Sequence, residues 1–218
     1  MAKIKKTDWN VAFKPLIAKY GNKHHPLHYK NIYQLLVMVV LSAQSTDNLI
    51  NDMAPALFKK YKSMDALSKA KKEELLPFIN KVRGALKKAD WLMRIAQQVK
   101  KDKNIPLTME GLVELPGLGR KSANVIMREA HVKAEGVIVD LHVLRVASRL
   151  GIAKGDDAKD IEKQIMAEVD EKNWGEVGMA MSFLGREICR PTDPKHGECV
   201  MNEVCDYFKK LHKVKKTK

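Results

Sequence analysis

Apolar residues recur at helical spacing along most of this chain. Residues 8 to 20 read as an amphipathic helix closed by Gly21, a usual C-cap residue. The stretch from Tyr29 to Gln44 is apolar almost all round, which predicts a buried central helix. Ser45 or Thr46 can cap the next helix, whose apolar side carries Leu49, Ile50, Met53, Leu57 and Phe58. Short helices are expected at about 63 to 69 and 71 to 79, and a longer one from about 85 to 102. Thr108 opens a short helix that reaches Leu115, and another spans about 120 to 131. Val137-Ile138-Val139 leads to Asp140, a good N-cap for a helix over 141 to 150 that ends at Gly151. Two more helices fall near 158 to 170 and 174 to 187, and the lysine-rich tail from Lys209 to Lys218 reads as solvated or flexible. Period-2 alternation is never sustained, so the pattern predicts an all-α protein.

Composition narrows the class. A chain of 218 residues, 45% hydrophobic and 30% charged, makes an ordinary globular protein of one large domain or two small ones. The polar stretch holding Gly21, Asn22, His24, His25 and Pro26 suits a crossing between two lobes, one over 25–133 and the other joining 1–24 to 134–218. The longest apolar run, Leu35 to Leu41, is far short of the roughly 18 residues of a spanning helix. Met1 to Lys6 carries three lysines with no apolar region after them, so no signal peptide is expected and the cytoplasm, or the nucleoid within it, is the expected location. A net charge of +14 points to a polyanionic partner, because lysine and arginine displace counterions from phosphates; a merely soluble basic protein is the alternative. The three cysteines, Cys189, Cys199 and Cys205, lie close together, which suggests a metal site more than disulfides.

The candidate chemistry centres on Leu115-Pro116-Gly117-Leu118-Gly119-Arg120-Lys121. Two glycines between helices permit backbone conformations closed to other residues and let a phosphate approach the positive end of the second helix. An ordinary helix-turn-helix corner would use the same glycines. Lys121 falls in the first turn of that helix, where helix polarity and Arg120 disfavour its charge. Burial against apolar neighbours would then give an amine able to attack carbon, whereas a solvated surface lysine is the plainer reading. Asp140 is likewise either a structural cap or an acidic partner.

The run Leu115 to Val125, the segment Val139-Asp140-Leu141-His142-Val143-Leu144-Arg145-Val146, and Leu41-Ser42-Ala43-Gln44-Ser45-Thr46-Asp47 together resemble three signatures of the endonuclease III family. This is the helix-hairpin-helix, Gly/Pro-rich loop, catalytic aspartate superfamily of DNA base-excision glycosylases. The resemblance runs from about Tyr29 to Cys205. It implies a two-lobed helical fold with a six-helix lobe ending in the hairpin, a second lobe carrying a C-terminal metal-cluster loop, and DNA in the cleft between them. It implies that Lys121 attacks C1′ of a damaged nucleotide and forms a Schiff base that permits β-elimination of the 3′ phosphate. Asp140 would assist deprotonation and stabilise positive charge on the sugar. Leu115, Gly117, Leu118, Gly119 and Arg120 would contact DNA, and Gln44 would enter the gap left by the flipped nucleotide unless it is a buried helix-end glutamine. Leu86 is either an apolar wedge into the base stack or core. His142 is counted among the DNA contacts, although its place, like that of Arg145, suits orienting local structure. Members that only remove the base usually lack the hairpin lysine, so Lys121 argues for a bifunctional glycosylase and lyase, acting as a monomer on double-stranded DNA with damaged bases, most plausibly oxidised pyrimidines, or abasic sites. An oxidised-purine or alkylated-base glycosylase and a non-catalytic DNA-binding module are the alternatives.

Two departures stand out. Leu141 occupies the place where the family usually has threonine. In the cysteine segment the family pattern C-x6-C-x2-C-x5-C becomes C-x6-H-x2-C-x5-C, with His196 between Cys189 and Cys199. Imidazole can ligate a cluster iron, so the resemblance implies a [4Fe–4S] cluster held by Cys189, His196, Cys199 and Cys205; zinc or no metal are the alternatives.

Overall fold

The structure is a computed structural model that describes residues 7–215. The first six residues, on which the absence of a signal was read, and the end of the lysine tail lie outside the described residues. In chain order the helices are α1 (Trp9–Ala12), α2 (Lys14–Tyr20), α3 (Ile32–Ser42), α4 (Asp47–Lys60), α5 (Met64–Ser68), α6 (Lys72–Ile79), α7 (Ala85–Val99), α8 (Met109–Val113), α9 (Arg120–Glu129), α10 (Leu141–Leu150), α11 (Ala158–Glu168), α12 (Trp174–Glu187) and α13 (Asp206–Lys215). No strand occurs among the described residues, so the protein is all-α.

Side-chain caps set most of the starts. Asn31, Thr46, Ser63, Thr108, Asp140 and Asp157 each accept a first-turn amide with a side-chain oxygen. The single helix expected over 8–20 is broken at Phe13, because Pro15 has no N–H to continue the ladder and sits instead in the first turn of α2. The central helix is shorter than its apolar run, starting after the Asn31 cap and stopping at Ser42. The tail is not irregular: α13 continues through Lys215, beginning with Asp206 in its first turn and Lys209 N donating to Cys205 O at 3.0 Å.

The chain divides into two compact units. Residues 24–132 form one, with the seven α-helices that the periodicity predicts, the short α5 capped by Ser63 among them, against the six that the resemblance implies. Its axis is α3, whose residues from Leu35 to Leu41 are all buried and which packs against α4, α7 and α9. The other unit joins residues 7–23 to 133–215. Here α12 is central, packed against α10 and α2, with the Tyr20 ring stacked on Phe183 at 5.9 Å.

Candidate functional site

In the unit of residues 24–132, the turn from α8 to α9 is held from below. Leu118 N donates to Leu115 O at 3.2 Å, and both leucine side chains are buried, so any contact they make with a ligand is through the backbone. Gly117 has φ +80°, and a Cβ there would stand 2.4 Å from the Trp91 ring, so conformation and space both demand glycine. Gly119 corrects the expectation for its kind: φ is −105°, which any residue adopts, and no atom lies within 4 Å of a Cβ. What it provides is an open approach. As N-cap of α9 it has no side chain to occupy the first-turn amides, which point outward at the positive end of the helix. Lys121 is exposed. The apolar burial invoked for it is missing, because α9 enters the core only from Ala123.

Gln44 and Leu86 belong to the same unit, and neither is part of its core. Gln44 is exposed with φ +58°, and Leu86 is 63% exposed on the first turn of α7. Lys88 ties them together. It is 4% exposed, and its Nζ donates to Leu41 O at 2.8 Å and to Ala43 O, closing the carbonyl end of α3 just before Gln44. Burial pushes the Lys88 ammonium below its ordinary range.

In the other unit, buried Val137, Ile138 and Val139 deliver Asp140 to the start of α10. Its Oδ1 accepts from His142 N at 2.8 Å and Val143 N at 2.9 Å, and its Oδ2 accepts from Ser182 Oγ at 2.6 Å. His142 Nδ1 lies 3.2 Å from Arg145 Nη2, and Arg145 also donates to Gly185 O and Cys189 O. Leu141, beside the aspartate, is 79% exposed.

Cys189, His196, Cys199 and Cys205 line one pocket, with Arg149 and Tyr207 in its wall. The His196 Nε2 is buried with no hydrogen-bond partner, and burial holds the imidazole below its ordinary range. Burial pushes the Cys199 and Cys205 thiols up. Arg149 binds the loop together: Nη1 donates to Arg190 O at 2.7 Å and Cys189 Sγ at 3.4 Å, Nη2 donates to Pro191 O at 3.0 Å, and Cys205 Sγ donates to Arg149 O at 3.4 Å. Among the described residues no three His, Cys, Asp or Glu side chains close around a single ion position. The sequence reading missed Lys88, Ser182 and Arg149. Lys88 had no signal, and those of the other two were faint: a lone hydroxyl in the apolar run Met179–Leu184, and two arginines four apart around buried Val146.

Fold, glycine hairpin and capped aspartate define a class, and residues 37–171 match the model of the HhH-GPD superfamily of base excision DNA repair proteins. Endonuclease III of Synechocystis is 34% identical over 181 residues, covering 82% of this chain and 83% of that protein. Endonuclease III of Bacillus subtilis is also 34% identical, over 182 residues and with the same coverage of 82% and 83%. A solved structure of a trapped endonuclease III–DNA covalent intermediate, an estranged-adenine complex, superposes with a TM-score of 0.83 at 30% identity, over 94% of this chain and 99% of that one. The chain belongs to the endonuclease III family of that superfamily.

Proposed function

We propose that this protein is a bifunctional DNA glycosylase and abasic-site lyase of base excision repair, acting on oxidised pyrimidines in double-stranded DNA. The observation that carries the reading is Lys121 on the first turn of α9, directly after an open glycine cap. A binding module needs the cap but not the amine, and relatives solved as a covalent intermediate on DNA favour an amine that reacts.

Lys121 Nζ gives up its ammonium proton, a transfer that Asp140 assists, and attacks C1′, and the C1′–N bond breaks with its electrons passing to the base, which leaves on gaining a proton. Opening of the sugar gives a Schiff base. Loss of a C2′ proton then breaks the C3′–O bond and releases the 3′ phosphate, and water returns the free amine. Asp140 stabilises the cationic sugar as the base departs. The exposed lysine is covered by the bound nucleotide rather than by its own core. The amides after Gly119, with Arg120, grip a backbone phosphate, while Gln44 and Leu86, the exposed pair joined through Lys88, occupy the space a flipped nucleotide vacates. Borohydride trapping on an abasic duplex tests the nucleophile: wild type gives a covalent adduct and Lys121→Ala none, and an adduct at full yield in the variant overturns it.

Cys189, His196, Cys199 and Cys205 fit a [4Fe–4S] cluster, because a cluster asks for donors around a cavity and here they line one, with an unpartnered imidazole nitrogen among them. The cluster would cross-link the loop and supply no step of base removal. Held in this way, the loop would present Arg190 and Lys195 for phosphate contact. Visible absorption and iron content are the check: His196→Cys keeps iron and His196→Ala loses much of it, and equal iron in both removes His196 from the ligand set.

A further inference from the structure

Helix α12 comes unusually near the Asp140 segment. A Cβ at Gly178 would stand 2.5 Å from Ile138 O, and one at Gly185 would stand 2.8 Å from His142 Cβ. These glycines flank Ser182 at helical spacing, so the three positions share one face. Ser182 is 1% exposed, and its hydroxyl, which in a helix commonly bonds its own backbone, instead donates to Asp140 Oδ2 at 2.6 Å. One turn later Arg186 completes a chain, donating from Nε to Ser182 Oγ at 3.4 Å and standing 3.9 Å from Asp140 Oδ2.

We propose that Ser182 is a positioning residue for Asp140, fixing Oδ2 and keeping the carboxylate ionised to lower pH than the helix cap alone would. The proposal rests on the reading of Asp140 as the carboxylate that stabilises the sugar cation. The two oxygens have separate duties: Oδ1 accepts from the amides of His142 and Val143, and Oδ2, which accepts from Ser182, is the oxygen assigned to the sugar. The two amides hold one end of the carboxylate, and the Ser182 hydroxyl holds the other, so the plane of the group is fixed at both oxygens. A donor to the charged form also favours it, and the guanidinium behind the hydroxyl polarises the donor further. The ionisable groups carried by the surrounding elements are Glu176, Arg186 and Glu187 on α12, His131, Lys133 and Glu135 in the preceding loop, and His142, Arg145 and Arg149 on α10. Ser182→Ala leaves all of them in place. A serine that only filled space would be replaced by alanine without moving any titration.

The experiment is the pH profile of single-turnover cleavage of an abasic duplex by the full chain. In Ser182→Ala the acid limb is expected about one pH unit higher than in wild type, with affinity for uncleavable abasic duplex unchanged and a melting temperature lowered at neutral pH but converging on wild type in acid, as the same shift requires. Ser182→Thr, which keeps the hydroxyl, is expected to return the limb toward wild type. An acid limb at the wild-type position in Ser182→Ala overturns the proposal. Asp140→Asn separates the two readings: it is expected to cleave slowly at every pH, and cleavage at the wild-type rate would overturn the role of Asp140 itself and the proposal with it.

Discussion

Lys88 shows how a buried charge can serve a neighbouring exposed residue. Its ammonium satisfies carbonyls at the end of α3, where a helix leaves four without partners, and so shapes the backbone that turns Gln44 outward. Replacing it by methionine is expected to cost about 1–3 kcal/mol through the unpaired carbonyls. Weaker binding to gapped or abasic duplex than to intact duplex should accompany the loss, since the Gln44 turn loosens. Its titration has a definite sign. The folded chain releases the Lys88 proton below the ordinary value of 10.5, so between the folded and unfolded values the unfolded state holds more protons and stability gains as pH rises. Denaturant melts from neutral pH to 10.5 should show that gain in wild type and not in Lys88→Met. Nothing in the sequence announced this lysine, because one more polar residue in a basic helix looks like part of a solvated face.

Among the elements, the hairpin is where chemistry was most legible and geometry least. The two glycines look equivalent in the sequence but do different work: Gly117 is held under the Trp91 ring at positive φ, and Gly119 leaves the helix end open. Gly117→Ala is expected to destabilise by about 1–3 kcal/mol from backbone strain and collision with the ring. Gly119→Ala should change stability by about 0.5 kcal/mol or less and act mainly on DNA affinity. Thermal melts alongside duplex-binding titrations distinguish the two. Helix positions were readable wherever a cap and a 3.6-residue period agreed, as for α10 between Asp140 and Gly151. They were misread where tertiary or covalent constraints intervened, at Pro15 inside an apparently continuous helix and at α13, whose lysines disguised a regular element. Lys121 was legible as a residue type in a pattern, and its exposure matches the plainer of its two readings, a solvated first-turn lysine, rather than the buried amine. Ser182 was hidden because its significance lies in Asp140, forty-two positions earlier.

For the whole molecule, a charge of +14 means that affinity for DNA should depend steeply on salt. Titrations on undamaged duplex across a salt series are expected to give a linear fall of log affinity with log salt, and Arg120→Ala should make that slope shallower by about one. A slope unchanged by the substitution would take Arg120 out of phosphate contact. Connectivity adds a temporal consequence. Residues 24–132 are contiguous, so that unit can close as soon as it leaves the ribosome, whereas α1 and α2 are made before it yet belong with helices that are made after it. Until α12 emerges, Trp9, Phe13, Leu16 and Tyr20 have no lasting partner, and the newborn chain carries an apolar segment waiting for its other half. Truncation before α12 should therefore leave the middle unit protease-resistant and the first helices digestible, making the N-terminal segment the point at which synthesis is exposed to chaperones.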